Sequence, residues 1–216
     1  MTISRRDLGF GLAAIAGLAA PAFMDGAAAA QSTLSAEDQA VLARAQGYLQ
    51  ALTSAQGTFV ETGAGGQRRE GRFWIQRPGR MRFEYTSPAG LLVVSDGYNV
   101  KRYDPRLETF RQVPLGQTPL STFLARNVRF DQGVRIDRVQ RMAGGAYTIT
   151  ARDSRRPDDG SVTLGFYGTP VRLQEWTITD AQGGRTRTQL TTLAAAPGLA
   201  PSLFQLRDPT RQPGRN

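Results

Sequence analysis

Arg80-Met81-Arg82-Phe83-Glu84-Tyr85 alternates charged and apolar side chains without a break. Successive side chains of a strand point to opposite faces, so Met81, Phe83 and Tyr85 share one face and the charges share the other. A period of two over this length marks a half-buried strand, wet on one side. Outward from it, turn signals recur at short intervals: Ala64-Gly65-Gly66, Pro78-Gly79, Asp96-Gly97, Gly144-Gly145, Asp159-Gly160, Gly168-Thr169-Pro170 and Gln182-Gly183-Gly184. Between them the pattern predicts about eleven strands, near 55–62, 70–76, 80–86, 90–95, 98–103, 109–113, 134–142, 146–152, 161–166, 171–179 and 185–193. Short strands joined by tight turns make an antiparallel meander, closed as a barrel or left open as a strongly curled sheet.

Two helices punctuate this pattern. Ser35 is placed to cap the first, with Asp38 three residues on, and Val41, Leu42, Ala45, Tyr48, Leu49 and Leu52 recur at helical spacing. Gly57 marks the change to strand. Thr118-Pro119 reads as the start of a second helix, whose apolar side is Leu120, Phe123 and Leu124. After Leu193 the chain is rich in Pro and Gly, and Leu203-Phe204-Gln205-Leu206 reads as a short strand or an anchoring segment. The class is mainly β with helices (α+β), in one domain.

Composition excludes several chemistries. The chain has 216 residues, with no cysteine and no histidine. Disulfides, thiolate ligands, Ser-His-Asp triads and His-rich zinc sites are therefore ruled out. Net charge is +9, carried almost wholly by arginine. The arginines are spread over alternate strand positions rather than clustered, which reads as the wet face of a sheet and not as a nucleic-acid footprint. No phosphate-binding glycine loop and no cofactor motif is present, and a monomer is expected.

The first thirty residues read as an address. Arg5-Arg6 precedes an apolar run from Leu8 to Phe23, and Ala27 to Ala30 precede Gln31. A charged start, an apolar middle and small residues before a cleavage point make a signal peptide, 1–30, cut near Ala30. The paired arginines point to twin-arginine export, with the general route as the alternative. The uninterrupted run is shorter than the ~20 residues a membrane span needs. Residues 31–216 then form one domain in an exported compartment.

Gly71-Arg72-Phe73-Trp74-Ile75-Gln76-Arg77-Pro78-Gly79-Arg80-Met81-Arg82-Phe83-Glu84-Tyr85 resembles the signature of the outer-membrane lipoprotein carrier family, the LolA type. Pro88, Leu92-Val93-Val94-Ser95-Asp96-Gly97, Tyr103-Asp104-Pro105 and Thr118-Pro119-Leu120 follow in the family's order and spacing. The resemblance implies an unclosed antiparallel half-barrel of about eleven strands under a helical lid. It implies a periplasmic carrier and no enzyme. Acylated lipoproteins would come from an ABC-type release complex in the inner membrane. They would go to an outer-membrane acceptor, or to the outer membrane itself. The need is physical: acyl chains with on the order of 40 methylenes, at ~0.8 kcal/mol each, cannot cross water unshielded.

The resemblance also assigns roles. Arg77 would lock the lid by donating to helix-end or loop carbonyls; the plain alternative is a solvated arginine at a turn. Trp74, Met81, Phe83, Tyr85, Leu92 and Val94 would line the acyl-chain cavity, or be ordinary core. Leu42, Leu49, Leu52, Leu120, Phe123 and Leu124 would form the lid's inner face, or simply pack on the sheet. Whether the interior is hollow or filled stays open at this point. An envelope-stress sensor of the same fold, and a two-carboxylate glycoside hydrolase, are the competing functions.

Overall fold

The computed structural model describes residues 34–118 and 120–210. The expected export segment, Pro119 and the last six residues lie outside the described residues. Helix α1 spans Ala36–Ala51, and the Ser35 side chain accepts from the Asp38 amide at 3.1 Å, as the cap reading expects. Eleven strands follow: β1 (Ser54–Thr62), β2 (Arg68–Gln76), β3 (Arg80–Ser87), β4 (Leu92–Asp96), β5 (Asn99–Asp104), β6 (Thr109–Pro114), β7 (Val134–Arg141), β8 (Tyr147–Asp153), β9 (Gly160–Tyr167), β10 (Arg172–Asp180) and β11 (Arg185–Ala195). Helix α2, Leu120–Phe123, is a single turn. Four residues cannot sustain a helix by themselves, so its neighbours hold it.

All eleven strands form one sheet in the order β6-β5-β4-β3-β2-β1-β11-β10-β9-β8-β7. Hairpins join sequence neighbours, and the first strand pairs with the last, Ala55 opposite Ala195. The free edges are therefore β6 and β7, and the half-barrel is unclosed. The chain between those edges, residues 115–133, begins with a 3-10 turn at Leu115–Gln117 and continues through α2. This strap runs from one rim to the other. Gly57 lies inside β1 rather than at its start; a Cβ there would collide with the Thr192 carbonyl of β11 and come 2.8 Å from the Phe73 ring, so the glycine admits the close approach of both.

Register settles which residues face inward. Directly paired residues of an antiparallel ladder share a face. Met81, Phe83 and Tyr85 face inward, and Phe83 pairs with Phe73 and with Val93. Trp74 pairs with Arg82, Val94 also pairs with Arg82, and Leu92 pairs with Glu84. Trp74, Leu92 and Val94 consequently lie on the outer face, which corrects the expected cavity set; Phe73, Ile75 and Val93 take the inward places. Trp74 carries the Arg72 guanidinium over its ring at 5.8 Å. Val94 is fully buried on the outside. The tail explains this: Arg82 Nη1 donates to the Leu203 carbonyl at 3.4 Å, placing the turn Pro201–Phe204 on that face with Phe204 buried. The anchoring reading of the tail holds, and the strand reading does not.

Inside, the core has two centres. One gathers Val41, Ala45 and Leu49 of α1 with Ile149, Leu164 and Phe166 of β8 and β9. The other gathers Phe59, Phe73, Met81 and Phe83 of β1 to β3 with Leu115 and Leu124 of the strap. Trp176 of β10 packs against both and meets Phe83 edge to face, ring centroids 6.0 Å apart.

Candidate functional site

Between the two centres lies an apolar hollow of about 70 Å³. Its walls are Ile75, Met81 and Phe83 on one side, and Val162, Leu164, Leu173, Trp176 and Ile178 on the other. Leu49 and Leu52 of α1 and Leu120, Phe123 and Leu124 of the strap roof it. Five of the six residues expected on the lid's inner face thus meet in one place. Leu42 packs with the α1 centre instead. Of the expected cavity set, Met81 and Phe83 reach the hollow; Tyr85 faces inward but sits beyond Phe59, its hydroxyl donating to Glu61 at 2.8 Å. Burial and then Glu61 push the Tyr85 hydroxyl well above its usual range, so it stays a donor.

The walls contributed by β9 and β10 were absent from the sequence reading, though a signal existed. Val162 and Leu164 alternate in β9, and Trp176 and Ile178 in β10, with polar residues between them.

The size of the hollow is informative. A cavity of roughly 150 Å³ holds one benzene. This one is about half that, too small for a single acyl chain while the roof is down.

One charge stands in the lining. Arg77 follows β2, and its Nε donates to the Phe123 carbonyl at 2.8 Å. Two residues on, the Gly79 amide donates to the Leu124 carbonyl at 2.7 Å. The β2–β3 turn therefore holds the two carbonyls that end α2, groups a helix leaves without internal partners. Arg77 Nη1 is buried and finds no acceptor among the described residues. Burial lowers the guanidinium to about 10. A desolvated cation with an orphan donor costs free energy, so the closed roof is held by one strong bond and opposed by the same side chain's lost hydration.

The opposite end of the roof is tied differently. Gln50 of α1 donates to the Arg126 carbonyl at 3.0 Å and accepts from the Val128 amide at 2.9 Å. Val128 and Phe130 then sink into the α1 centre. After residue 125 the strap is joined to α1; before it, the strap is held by Leu115 and Leu124 in the second core centre and by the bonds from the β2–β3 turn.

Fold and site together define an open antiparallel half-barrel with an apolar hollow beneath its connecting strap. Residues 50–207 match the family described as outer membrane lipoprotein carrier protein LolA. An outer-membrane lipoprotein carrier protein of Methylobacillus flagellatus is 32% identical over 162 residues, covering 73% of this chain and 75% of that protein. The protein of the same name from Methylococcus capsulatus is 28% identical, covering 77% of this chain and 83% of that protein. Among solved structures, a LolA superfamily protein from Nitrosomonas europaea aligns at 13% identity with a TM-score of 0.45, covering 78% of this chain and 97% of that one. The chain belongs to the LolA family of outer-membrane lipoprotein carrier proteins.

Proposed function

We propose that this protein shields the acyl chains of lipoproteins in the hollow between its two core centres and carries them through the periplasm to the outer membrane. Residues 1–30 would direct export and be removed near Ala30. The chain would receive its cargo from an inner-membrane ABC-type release complex and pass it to an outer-membrane acceptor or to the membrane directly. No bond is made or broken in this role; the work is enclosure and release.

The observation that carries the reading is an almost wholly apolar hollow beneath a roof fastened through Arg77. Acyl chains fill such a space through non-directional contacts, which hold without locking. Met81 adapts to irregular chain shapes. The lid residues Leu49, Leu52, Leu120, Phe123 and Leu124 would trade their contacts with one another for contacts with the chains. Arg77 would let go of Phe123 as the roof lifts, and its desolvation cost would fall as water reaches it.

Two experiments test this. Protein purified gently from periplasm and analysed by mass spectrometry should carry acylated proteins; a consistent nucleotide or sugar ligand instead would defeat the reading. Arg77→Leu removes both the bond and the buried charge, leaving a wholly apolar interior. It should still accept lipoprotein but pass it on at least tenfold more slowly, a barrier rise of ~1.4 kcal/mol. Transfer at the wild-type rate would remove the lock from Arg77.

A further inference from the structure

A second cleft, of about 40 Å³, opens beside the hollow, between the strap and the β7–β9 rim. Phe123 and Val162 line both spaces, so the two adjoin across these side chains. Their linings differ: the cleft's rim carries Arg152, Asp153, Arg156 and Asp159. Arg156 lies in the turn between β8 and β9 and donates Nη2 to the Gly116 carbonyl at 2.8 Å. Gly116 belongs to the 3-10 turn that opens the strap. The guanidinium is braced by Asp153 Oδ2 at 3.5 Å and Asp159 Oδ2 at 3.4 Å. Arg152 is committed to parts of the sheet and its own turn, with Nε on Asp137 and Nη1 on the Pro157 carbonyl. Of these two arginines, Arg156 is the one whose partner sits on the strap.

An acylated polypeptide is apolar along its tails and polar from its ester and amide carbonyls onward. Drawn into the hollow, those carbonyls would lose their hydrogen bonds to water with nothing in return. With the tails inside, the linkage belongs at the hollow's edge, on polar ground. The cleft supplies such ground at Phe123 and Val162. In the closed state a peptide carbonyl of the protein's own strap occupies the acceptor position on Arg156. Lifting the strap withdraws it and leaves an oriented N–H free. A cargo carbonyl replaces it like for like.

The geometry points to Arg156 exchanging the Gly116 carbonyl for an ester or amide carbonyl at the junction between acyl chains and polypeptide, which makes the cleft the polar subsite of the hollow. This rests on the carrier reading and adds where the cargo's polar end is held. Because one charge-assisted hydrogen bond replaces another, the exchange offsets most of the loss on opening. It favours cargo that has a carbonyl junction over grease that has none.

The test titrates the full exported chain with two probes: a synthetic triacylated lipopeptide, and N-phenyl-1-naphthylamine, an uncharged apolar dye without a carbonyl. Arg156→Leu should lower the preference for lipopeptide over dye, the ratio of their affinities, about tenfold, because only the dye leaves the Gly116 bond of the wild type unreplaced. Arg156→Lys, which keeps a cationic donor, should recover most of that preference. An unchanged ratio in Arg156→Leu overturns the subsite and leaves the hollow standing. Loss of both probes by Arg156→Leu also overturns it, because the effect then lies in the hollow or the fold. A wild-type chain that binds neither probe defeats the carrier reading itself.

Discussion

The two helices cover the same concave sheet in opposite ways. Helix α1 has sixteen residues, a side-chain cap and three buried side chains interlocked with β8 and β9. Helix α2 has four residues, none of them buried. Contacts in depth hold α1 down; two hydrogen bonds from the β2–β3 turn to its last carbonyls hold α2. A cover bound over a wide apolar area opens only with the global fold, whereas one held by a few peripheral bonds opens locally. Under the carrier function proposed above, the contrast makes α1 the wall of the hollow and α2 its door, with Gln50 the joint between them.

Substitutions can break or sharpen that distinction. Leu49→Ala, in the wall, should cost ~2–5 kcal/mol in urea unfolding. Leu120→Ala, in the half-buried door, should cost about 1 kcal/mol or less and raise uptake of an apolar dye. Equal losses at the two sites would erase the difference. Next in size, Gln50→Ala removes both strap bonds and should cost ~1–2 kcal/mol. Dye should then enter faster, because the strap's far end loses both its hydrogen bonds to α1; unchanged entry would place the joint elsewhere.

The smallest effect concerns pH. The Arg155 amide first, with the charge and hydrogen bonds of Arg156 adding to it, holds Asp153 below the usual carboxylate range, against an opposing effect of burial that is second in size. A depressed folded value stabilises above the ordinary value of about 3.9 and is lost only as pH falls through the depressed one. The Asp153 brace on Arg156 should therefore stay intact from about pH 8 to pH 5 and weaken only below about pH 4. Dye entry measured across that range checks it; a rise near neutrality would assign control to another group.

Much of this was legible in the sequence. Strand alternation and turn residues are local signals, and all eleven strands fall within a few residues of where the pattern puts them. Arg77 before Pro78 was legible through the family signature, and its bond to a helix-end carbonyl is the one its chemistry suits. Facing was harder. Phe73-Trp74-Ile75 and Leu91-Leu92-Val93-Val94 are continuous apolar runs, and a run without alternation does not say which half faces the core. Trp74 faces out because Arg72 stacks on it, and Val94 because a tail more than a hundred residues later in the chain covers it. The second helix, read from Leu120, Phe123 and Leu124, proved to be one turn, since spacing reports a face and not a length. Arg156 was one arginine among many, and only the approach of the strap sets it apart.

Hydrogen exchange read by mass spectrometry, with and without a triacylated lipopeptide, puts the division between wall and door to its most direct test. Loading should speed exchange over Leu120–Leu124 and leave Val41–Leu49 as slow as before. Slower exchange at Leu120–Leu124, or equal acceleration in both segments, would mean that cargo does not enter by lifting the strap away from a fixed α1.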